Sequence, residues 1–195
     1  MFNLQKHIES SIETKKKILN DATLLNSIHS VAIKMVEAIQ NGNKILIAGN
    51  GGSAADAQHF AGELVSKFFF DRPGLPAFSL ATDTSILTAI GNDYGYEQSF
   101  ARQVQAVGKE GDVFLGISTS GNSTNVIYAV NEAKKKNITT VALVGGKECK
   151  LETLCDYVIK VPSTSTPTIQ ESHLMIEHSI CAIIEDEIFG GKDRS

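Results

Sequence analysis

The sequence has no tryptophan, only 4 prolines and 3 cysteines, and no long uninterrupted apolar run. Cys149, Cys155 and Cys181 are odd in number and lack metal-site spacing, which favours a reducing compartment over a disulfide framework. The N-terminus lacks the apolar segment of a signal peptide, and no apolar run approaches the roughly 18 residues that cross a bilayer. We therefore expect a soluble cytoplasmic protein with no membrane partner.

A surplus of positive charge is also absent, because 18 Lys and Arg are set against 22 Asp and Glu for a net charge of −4. Such a chain has no cationic field for a polyphosphate backbone, so we expect no nucleic-acid partner. The 195 residues, 42% of them hydrophobic, suit one compact domain of about 100–200 residues. We predict a single domain over 1–195, with a helical N-terminal extension at about 1–41 and a flexible tail at 190–195.

Short apolar runs alternate with amphipathic segments along the chain. The apolar runs predict five buried strands, which begin near Lys44, Ala77, Val113, Thr140 and Tyr157. Helical spacing is expected over the remaining segments, at about 4–20, 28–39, 54–69, 84–90, 96–107, 124–136 and 169–188. This alternation predicts an α/β three-layer sandwich, in which a five-stranded parallel sheet is flanked by helices and long helices stand at both ends.

Two polar loops follow predicted strands, at 49–53 (GNGGS) and at 118–123 (STSGNS). Ligands of open parallel sheets bind beyond the carboxyl ends of the strands, where helix N-termini attract anions. The second loop carries four hydroxyls, more than one helix cap requires, which favours a phosphate site. The first loop lacks both the G-x-G-x-x-G spacing and a P-loop lysine, so we expect no dinucleotide cofactor.

Two pairs of side chains on separate helices could carry chemistry. His59 and Glu63 are four residues apart and share a helix face, so they could bind a divalent metal, divide acid–base work or form an ordinary surface pair. Gln170 and His178 lie about 80° apart around the last helix and could border one cleft.

Other polar residues have less distinctive patterns. His173 and Glu177 on the last helix could equally be solvated. Asn92 and Asp93 are expected in a turn after a short helix, and their pattern alone gives a ligand role as the less favoured alternative.

The motifs at 49–64 (GNGGSAADAQHFAGEL), 89–95 (AIGNDYG), 116–123 (GISTSGNS) and 169–173 (IQESH) closely resemble the phosphoheptose isomerases of the sugar isomerase (SIS) superfamily. The resemblance extends over nearly the whole chain, to about residue 188. It implies the SIS fold and a homotetramer in which the first and last helices pack between subunits and the active sites lie at the interfaces. It also implies conversion of D-sedoheptulose 7-phosphate to D-glycero-D-manno-heptose 7-phosphate through an enediol, in bacterial heptose synthesis for lipopolysaccharide or related glycans.

The resemblance also implies residue roles. Glu63 matches the catalytic base and His178 its acid–base partner, and one zinc per subunit would be held by His59, Glu63, Gln170 and His178. Substrate contacts are expected from the two loops and their neighbours, which are Asn50, Gly51, Gly52, Ser53, Glu63, Asn92, Asp93, Ser118, Thr119, Ser120, Ser123 and Gln170. The metal could act in catalysis, or it could be structural or regulatory.

Two positions depart from the family pattern. Lys67 and Thr168 stand where many relatives have Arg, and neither supplies a planar guanidinium fork. These departures bear on substrate affinity or preference. Two other functions stay open from the sequence: a noncatalytic SIS protein that binds a replication initiator, and an isomerase for another sugar phosphate.

Overall fold

The computed structural model describes residues 3–190, so the predicted tail, apart from Gly190, lies outside the described residues. Five strands form one sheet, and their bounds are β1 (Ile45–Gly49), β2 (Ala77–Ser79), β3 (Val113–Ser118), β4 (Thr139–Val144) and β5 (Tyr157–Lys160). The α-helices are α1 (Leu4–Leu19), α2 (Ala22–Gln40), α3 (Gly52–Val65), α4 (Thr84–Tyr94), α5 (Ala101–Val107), α6 (Thr124–Lys135), α7 (Lys150–Leu154) and α8 (Thr166–Phe189). A 3₁₀ turn at Tyr96–Gln98 precedes α5.

The sheet is parallel throughout, in the order β2-β1-β3-β4-β5. The chain adds β2 on one side of β1 and then crosses to the other side to add β3. The helices that follow β1 and β3 pack on opposite faces of the sheet. The edge between these two strands is therefore a topological switch point, where parallel sheets hold their ligands. Gly49 pairs with Ile117 in the register, so the glycine loop 50–53 and Ser118 emerge side by side.

Both faces of the sheet are covered, because its side chains alternate between two apolar cores. Ile45 and Ile47 belong to the core that includes residues of α2, α3 and α8, whereas Leu46 and Phe114 belong to the core with α5 and α6. The predicted three-layer α/β sandwich is thus confirmed. Within residues 3–190 no helix is long and apolar enough to cross a membrane.

Several element bounds differ from expectation. The predicted helix at 96–107 divides into the 3₁₀ turn and α5, and α7 was not predicted. α8 begins at Thr166, three residues before its expected start, because Pro167 is accepted in a first helical turn, where no intrahelical N–H bond is lost.

The predicted turn containing Asn92 and Asp93 is wrong, since both residues lie in the last turn of α4. Asp83 caps the start of this helix by accepting the Ile86 N–H at 2.9 Å. The helix continues through Gly91 and ends before Gly95, whose φ of +90° a side chain would disfavour.

Candidate active site

The serine loop, residues 118–123, is a compact hydroxyl cluster at the start of α6. The hydroxyl of Ser118 lies 2.9 Å from that of Ser123 and 3.4 Å from that of Ser120. Ser123 occupies the N-cap position of α6 but makes no side-chain capping bond. Helix capping therefore does not account for this hydroxyl, which faces the cluster at the positive end of a helix.

The glycine loop is tied to the serine-loop side by Asn50. Its amide donates to Asn125 Oδ1 at 2.8 Å, and its oxygen accepts from Tyr96 Oη at 2.8 Å. Asn50, Tyr96, Ser123 and Asn125 line an open cleft of about 480 Å³. The two loops thus border a common polar cleft at the switch point.

His59, Glu63 and His178 come together, although His178 is 119 residues beyond His59. One ligand atom from each lies within 4.8 Å of the others. The Nε2 atoms of His59 and His178 are 2.7 Å apart, and His59 Nε2 lies 3.4 Å from Glu63 Oε1. Two imidazoles and one carboxylate are a donor set that zinc accepts, so these residues fit a divalent metal.

Gln170 lies on α8, about two turns before His178. A Cβ added to Gly52 would collide with the Gln170 side-chain amide, so this amide packs against the first turn of α3. His59 is seven residues further along α3, which is about 10 Å of helix rise. The structure thus brings Gln170 to the glycine loop, and brings the other three predicted metal ligands to one another.

The helices that carry the His59–Glu63–His178 cluster also bear two buried polar side chains, His173 and Glu177 on α8, and the half-buried Asp56 on α3. His173 and Glu177 are 0% exposed, which contradicts the interpretation of these residues as solvated. Asp56 Oδ2, both Glu177 oxygens and both His173 nitrogens lack a hydrogen bond of normal geometry. Burial, reinforced by Asp56, raises the pKa of Glu177 to about 8, and burial raises the pKa of Asp56.

The remaining predicted site residues differ in their exposure to solvent. Ser53 is buried in the first turn of α3, whereas Gly51 and Gly52 are exposed and Thr119 is half-buried. Asn92 and Asp93 are exposed and hydrogen-bond each other at 2.7 Å.

The two departures from the family pattern occupy different environments. Lys67 is exposed just beyond α3. Thr168 is 1% exposed, and its hydroxyl lies 3.3 Å from that of Ser165.

The sequence did not indicate Tyr96 and Asn125, which hydrogen-bond to Asn50. It also did not indicate Arg72 and Glu185, which form an ion pair between the end of α3 and α8. Asn125 stands two residues after the serine loop, in the first turn of α6, and this position was the available signal. Arg72 and Glu185 are 113 residues apart, so no local spacing indicates their contact.

The fold and the site define a SIS domain, because the family model described as "SIS domain" matches residues 8–145. The phosphoheptose isomerase of Aneurinibacillus thermoaerophilus is 62% identical over 97% of this chain and 96% of its own. Phosphoheptose isomerase 2 of Campylobacter jejuni is 58% identical over 96% of this chain and 93% of its own. The chain belongs to the SIS domain family and, within it, to the phosphoheptose isomerases.

A solved structure has the same fold over nearly the full length. The phosphoheptose isomerase structure from Francisella tularensis superposes with a TM-score of 0.90 at 41% identity, over 95% of this chain and all of the other.

Proposed function

We propose that this protein interconverts D-sedoheptulose 7-phosphate and D-glycero-D-manno-heptose 7-phosphate in the cytoplasm, as a step of bacterial heptose precursor synthesis. The observation that carries the proposal is the meeting of Glu63 with His178, within 4.8 Å of each other. Aldose–ketose isomerisation needs one group to move a carbon-bound proton and another to move protons at oxygen. A carboxylate and an imidazole held together meet that need.

In the proposed mechanism the serine loop binds the phosphate of the open-chain ketose. Glu63 removes a proton from C1 while His178 donates one to the C2 oxygen, which gives the enediol. Glu63 then delivers its proton to C2, and the C1 hydroxyl returns a proton to His178, which leaves the aldehyde. The phosphate is bound at the far end of the sugar, which restricts the chain to one register.

The length of α3 suits a long sugar phosphate. Gly52 and Ser53 begin this helix beside the serine loop, whereas His59 and Glu63 lie two and three turns further along. Sedoheptulose 7-phosphate carries its phosphate five carbons from the carbonyl. A binding site and a proton-transfer site that are separated along one helix match this substrate better than a shorter ketose.

We also propose that zinc, one ion per subunit, is held by His59, Glu63 and His178, whereas the amide of Gln170, the fourth ligand predicted from the sequence, packs against Gly52. Bound zinc would polarise the carbonyl and stabilise the enediolate charge. We expect metal analysis after gentle purification to find zinc, and His59→Ala to lower the zinc content and the turnover together. Absence of zinc, with a rate unaffected by chelators, would remove the ion from the mechanism.

The quaternary proposal is a homotetramer of single-domain subunits with sites at their interfaces. It is supported by an apolar stripe on α1, where Leu4, Ile8 and Ile12 recur every four residues and are 64%, 49% and 47% exposed. α1 is held on α8, since Ser11 Oγ donates to Glu171 Oε2 at 2.5 Å. The stripe borders the face of α1 that contacts α8 and is largely exposed within one subunit, so a second copy could cover it.

The test of function is turnover of sedoheptulose 7-phosphate by the purified protein, with the heptose product identified directly. We expect Glu63→Gln and His178→Ala each to lower kcat at least about 100-fold, the lower range for loss of a general acid or base. Ser85→Ala, on exposed α4, is a control that should retain the wild-type rate. Full activity in both site variants would refute the assigned roles, and turnover of only another sugar phosphate would refute the substrate.

A further inference from the structure

Arg72 and Glu185 form a buried ion pair between the two helices that carry the proposed acid–base residues. Arg72 Nε donates to Glu185 Oε1 at 2.9 Å, and the two side chains are 2% and 0% exposed. Among residues 3–190, neither group hydrogen-bonds to the side chain of His59, Glu63 or His178, so the proposed mechanism leaves the pair without a role. A buried ion pair is costly to desolvate and is weak evidence for stability alone.

Arg72 holds the C-terminal end of α3. Its Nη2 donates to the carbonyl of Glu63 at 2.9 Å, and its Nη1 donates to the carbonyl of Leu64 at 2.6 Å. These carbonyls are among the last four of the helix, which have no intrahelical partner. The planar guanidinium therefore fixes the turn that bears Glu63, as the compact ammonium of lysine could not.

Glu185 extends the same connection to α8 and to the segment after α3. It lies two turns beyond His178 and accepts the backbone N–H groups of Phe68 and Phe69 at 2.9 and 2.7 Å. Burial opposes ionisation of this carboxyl, but the two amide bonds and Arg72 outweigh it and lower the pKa of Glu185. The Phe68 ring, positioned in this way, lies 5.5 Å from the His178 ring.

We propose that the Arg72–Glu185 pair is a positioning device that sets Glu63 against His178, and that it governs the rate of proton transfer rather than the binding of sugar phosphate. The proposal rests on the proposed isomerase function. The pair connects the last turn of α3, the segment that carries Phe68, and the α8 helix that carries His178. A shift in any of these would change the separation of the two reacting groups, to which proton transfer is sensitive.

The chain contains a matched control for a purely structural role. Asp112 is also 0% exposed, accepts two backbone N–H groups, from Lys44 and Lys109, and pairs with one cation, Lys44 Nζ at 2.7 Å. It precedes β3, at the amino edge of the sheet, opposite the edge that bears the loops. Loss of its charge should cost stability as loss of the Glu185 charge does, without disturbing Glu63 or His178.

The experiment compares Glu185→Gln, Arg72→Lys and Asp112→Asn with the wild-type protein. We expect Glu185→Gln and Arg72→Lys to lower kcat by about 10- to 100-fold with KM changed less than about twofold. All three variants should have lower unfolding temperatures, but Asp112→Asn should keep the wild-type kcat. Arg72→Lys keeps the charge and is the milder change, so it decides the question if Glu185→Gln does not fold.

Two results would overturn the positioning role: kcat within twofold of wild type in the folded Arg72 or Glu185 variant, or an equal fall of kcat in Asp112→Asn. A second measurement separates this inference from the proposed function. Cobalt(II) titration of metal-free protein, followed by visible absorption, should show affinity about tenfold weaker in Glu185→Gln and Arg72→Lys than in Asp112→Asn. If the wild-type protein does not turn over sedoheptulose 7-phosphate, the proposed function fails. Equal cobalt affinities in the three variants would refute the positioning role separately.

Discussion

At the residue scale, His173 places an ionisable ring inside the apolar core. Burial is the main cause that lowers its pKa to about 4, and a contact with the backbone of Val144 opposes the shift only in part. The ring is therefore neutral in the folded protein at neutral pH. An unfolded histidine has a pKa near 6.5, so unfolding raises the affinity of this side chain for protons.

This difference in affinity predicts a pH-dependent stability. As pH falls from about 6.5 to about 4, His173 binds a proton in the unfolded state but stays neutral in the folded state. The free energy of unfolding therefore decreases. We expect His173→Leu, which cannot charge, to remove a decrease of roughly 3 kcal/mol, measured by urea unfolding at pH 7, 5.5 and 4. His29→Gln, at an exposed position, is the control, and equal pH profiles for wild type and His173→Leu would contradict the prediction.

The sequence predicts part of the site at this scale. The four-residue spacing of His59 and Glu63 places them on one face of a helix wherever that helix packs, and the structure has them 3.4 Å apart. The burial of His173 and Glu177 could not be predicted in the same way. α8 buries ten residues as five adjacent pairs, at 168/169, 172/173, 176/177, 180/181 and 184/185. Five of the ten are polar, so an apolar pattern alone does not mark the whole buried face.

At the scale of elements, the serine loop depends on the conformation of Gly121. This residue has a φ of +62°, which side chains disfavour, and a Cβ there would collide with Cys149. The loop is also fastened to the start of α7, because Lys150 N donates to Asn122 Oδ1 at 3.0 Å. The helix that sequence patterning missed thus supports the proposed phosphate site.

We expect Gly121→Ala to weaken binding of inorganic phosphate at least about tenfold and to destabilise the fold by more than the roughly 1 kcal/mol of backbone strain alone. Gly42→Ala is a matched control, because Gly42 has a φ of +74° with no atom within 4 Å of an added Cβ. It should show the strain and leave phosphate affinity unchanged. Calorimetric titration and thermal unfolding measure the two effects, and equal phosphate affinity in both variants would contradict this prediction.

Element types were predictable wherever one periodicity dominated. The central strands β1, β3 and β4 are almost continuously buried because helices cover both faces of the sheet there. The edge strands β2 and β5 are only partly buried, which the expectation of five buried strands did not distinguish. The bounds of α4 and α8 were not predictable, since Gly91 and Pro167 are usual signs of a break and the tertiary packing accepts both. The five-residue α7 is too short to show a period of its own.

At the scale of the whole molecule, the apolar stripe on α1 gives a test of assembly. We expect Ile8→Glu combined with Ile12→Glu to lower the mass measured by light scattering, because charges at both positions cannot be buried between subunits without partners. Val107→Glu, at another half-exposed apolar position, should keep the wild-type mass. A fully active wild-type monomer would contradict both the tetramer and the interfacial sites.

The sequence predicts a five-stranded parallel sheet but does not predict the order of its strands. Patterning identifies buried parallel strands, but the order β2-β1-β3-β4-β5 depends on which side of β1 each crossover returns to. Likewise, no pattern within α1 or α8 reports that Ser11 meets Glu171 across 160 residues. Such long-range contacts come from global packing, which local periodicity does not encode.

The position of His178 on the last helix has a consequence for shortened forms of the protein. All five strands and both polar loops precede residue 166, whereas His178 follows it. A chain that stops before α8 would contain the strands and the proposed phosphate loop without the second imidazole, and would expose the apolar core to which α8 contributes. The proposed acid–base pair therefore exists only in molecules whose α8 is docked beside α3.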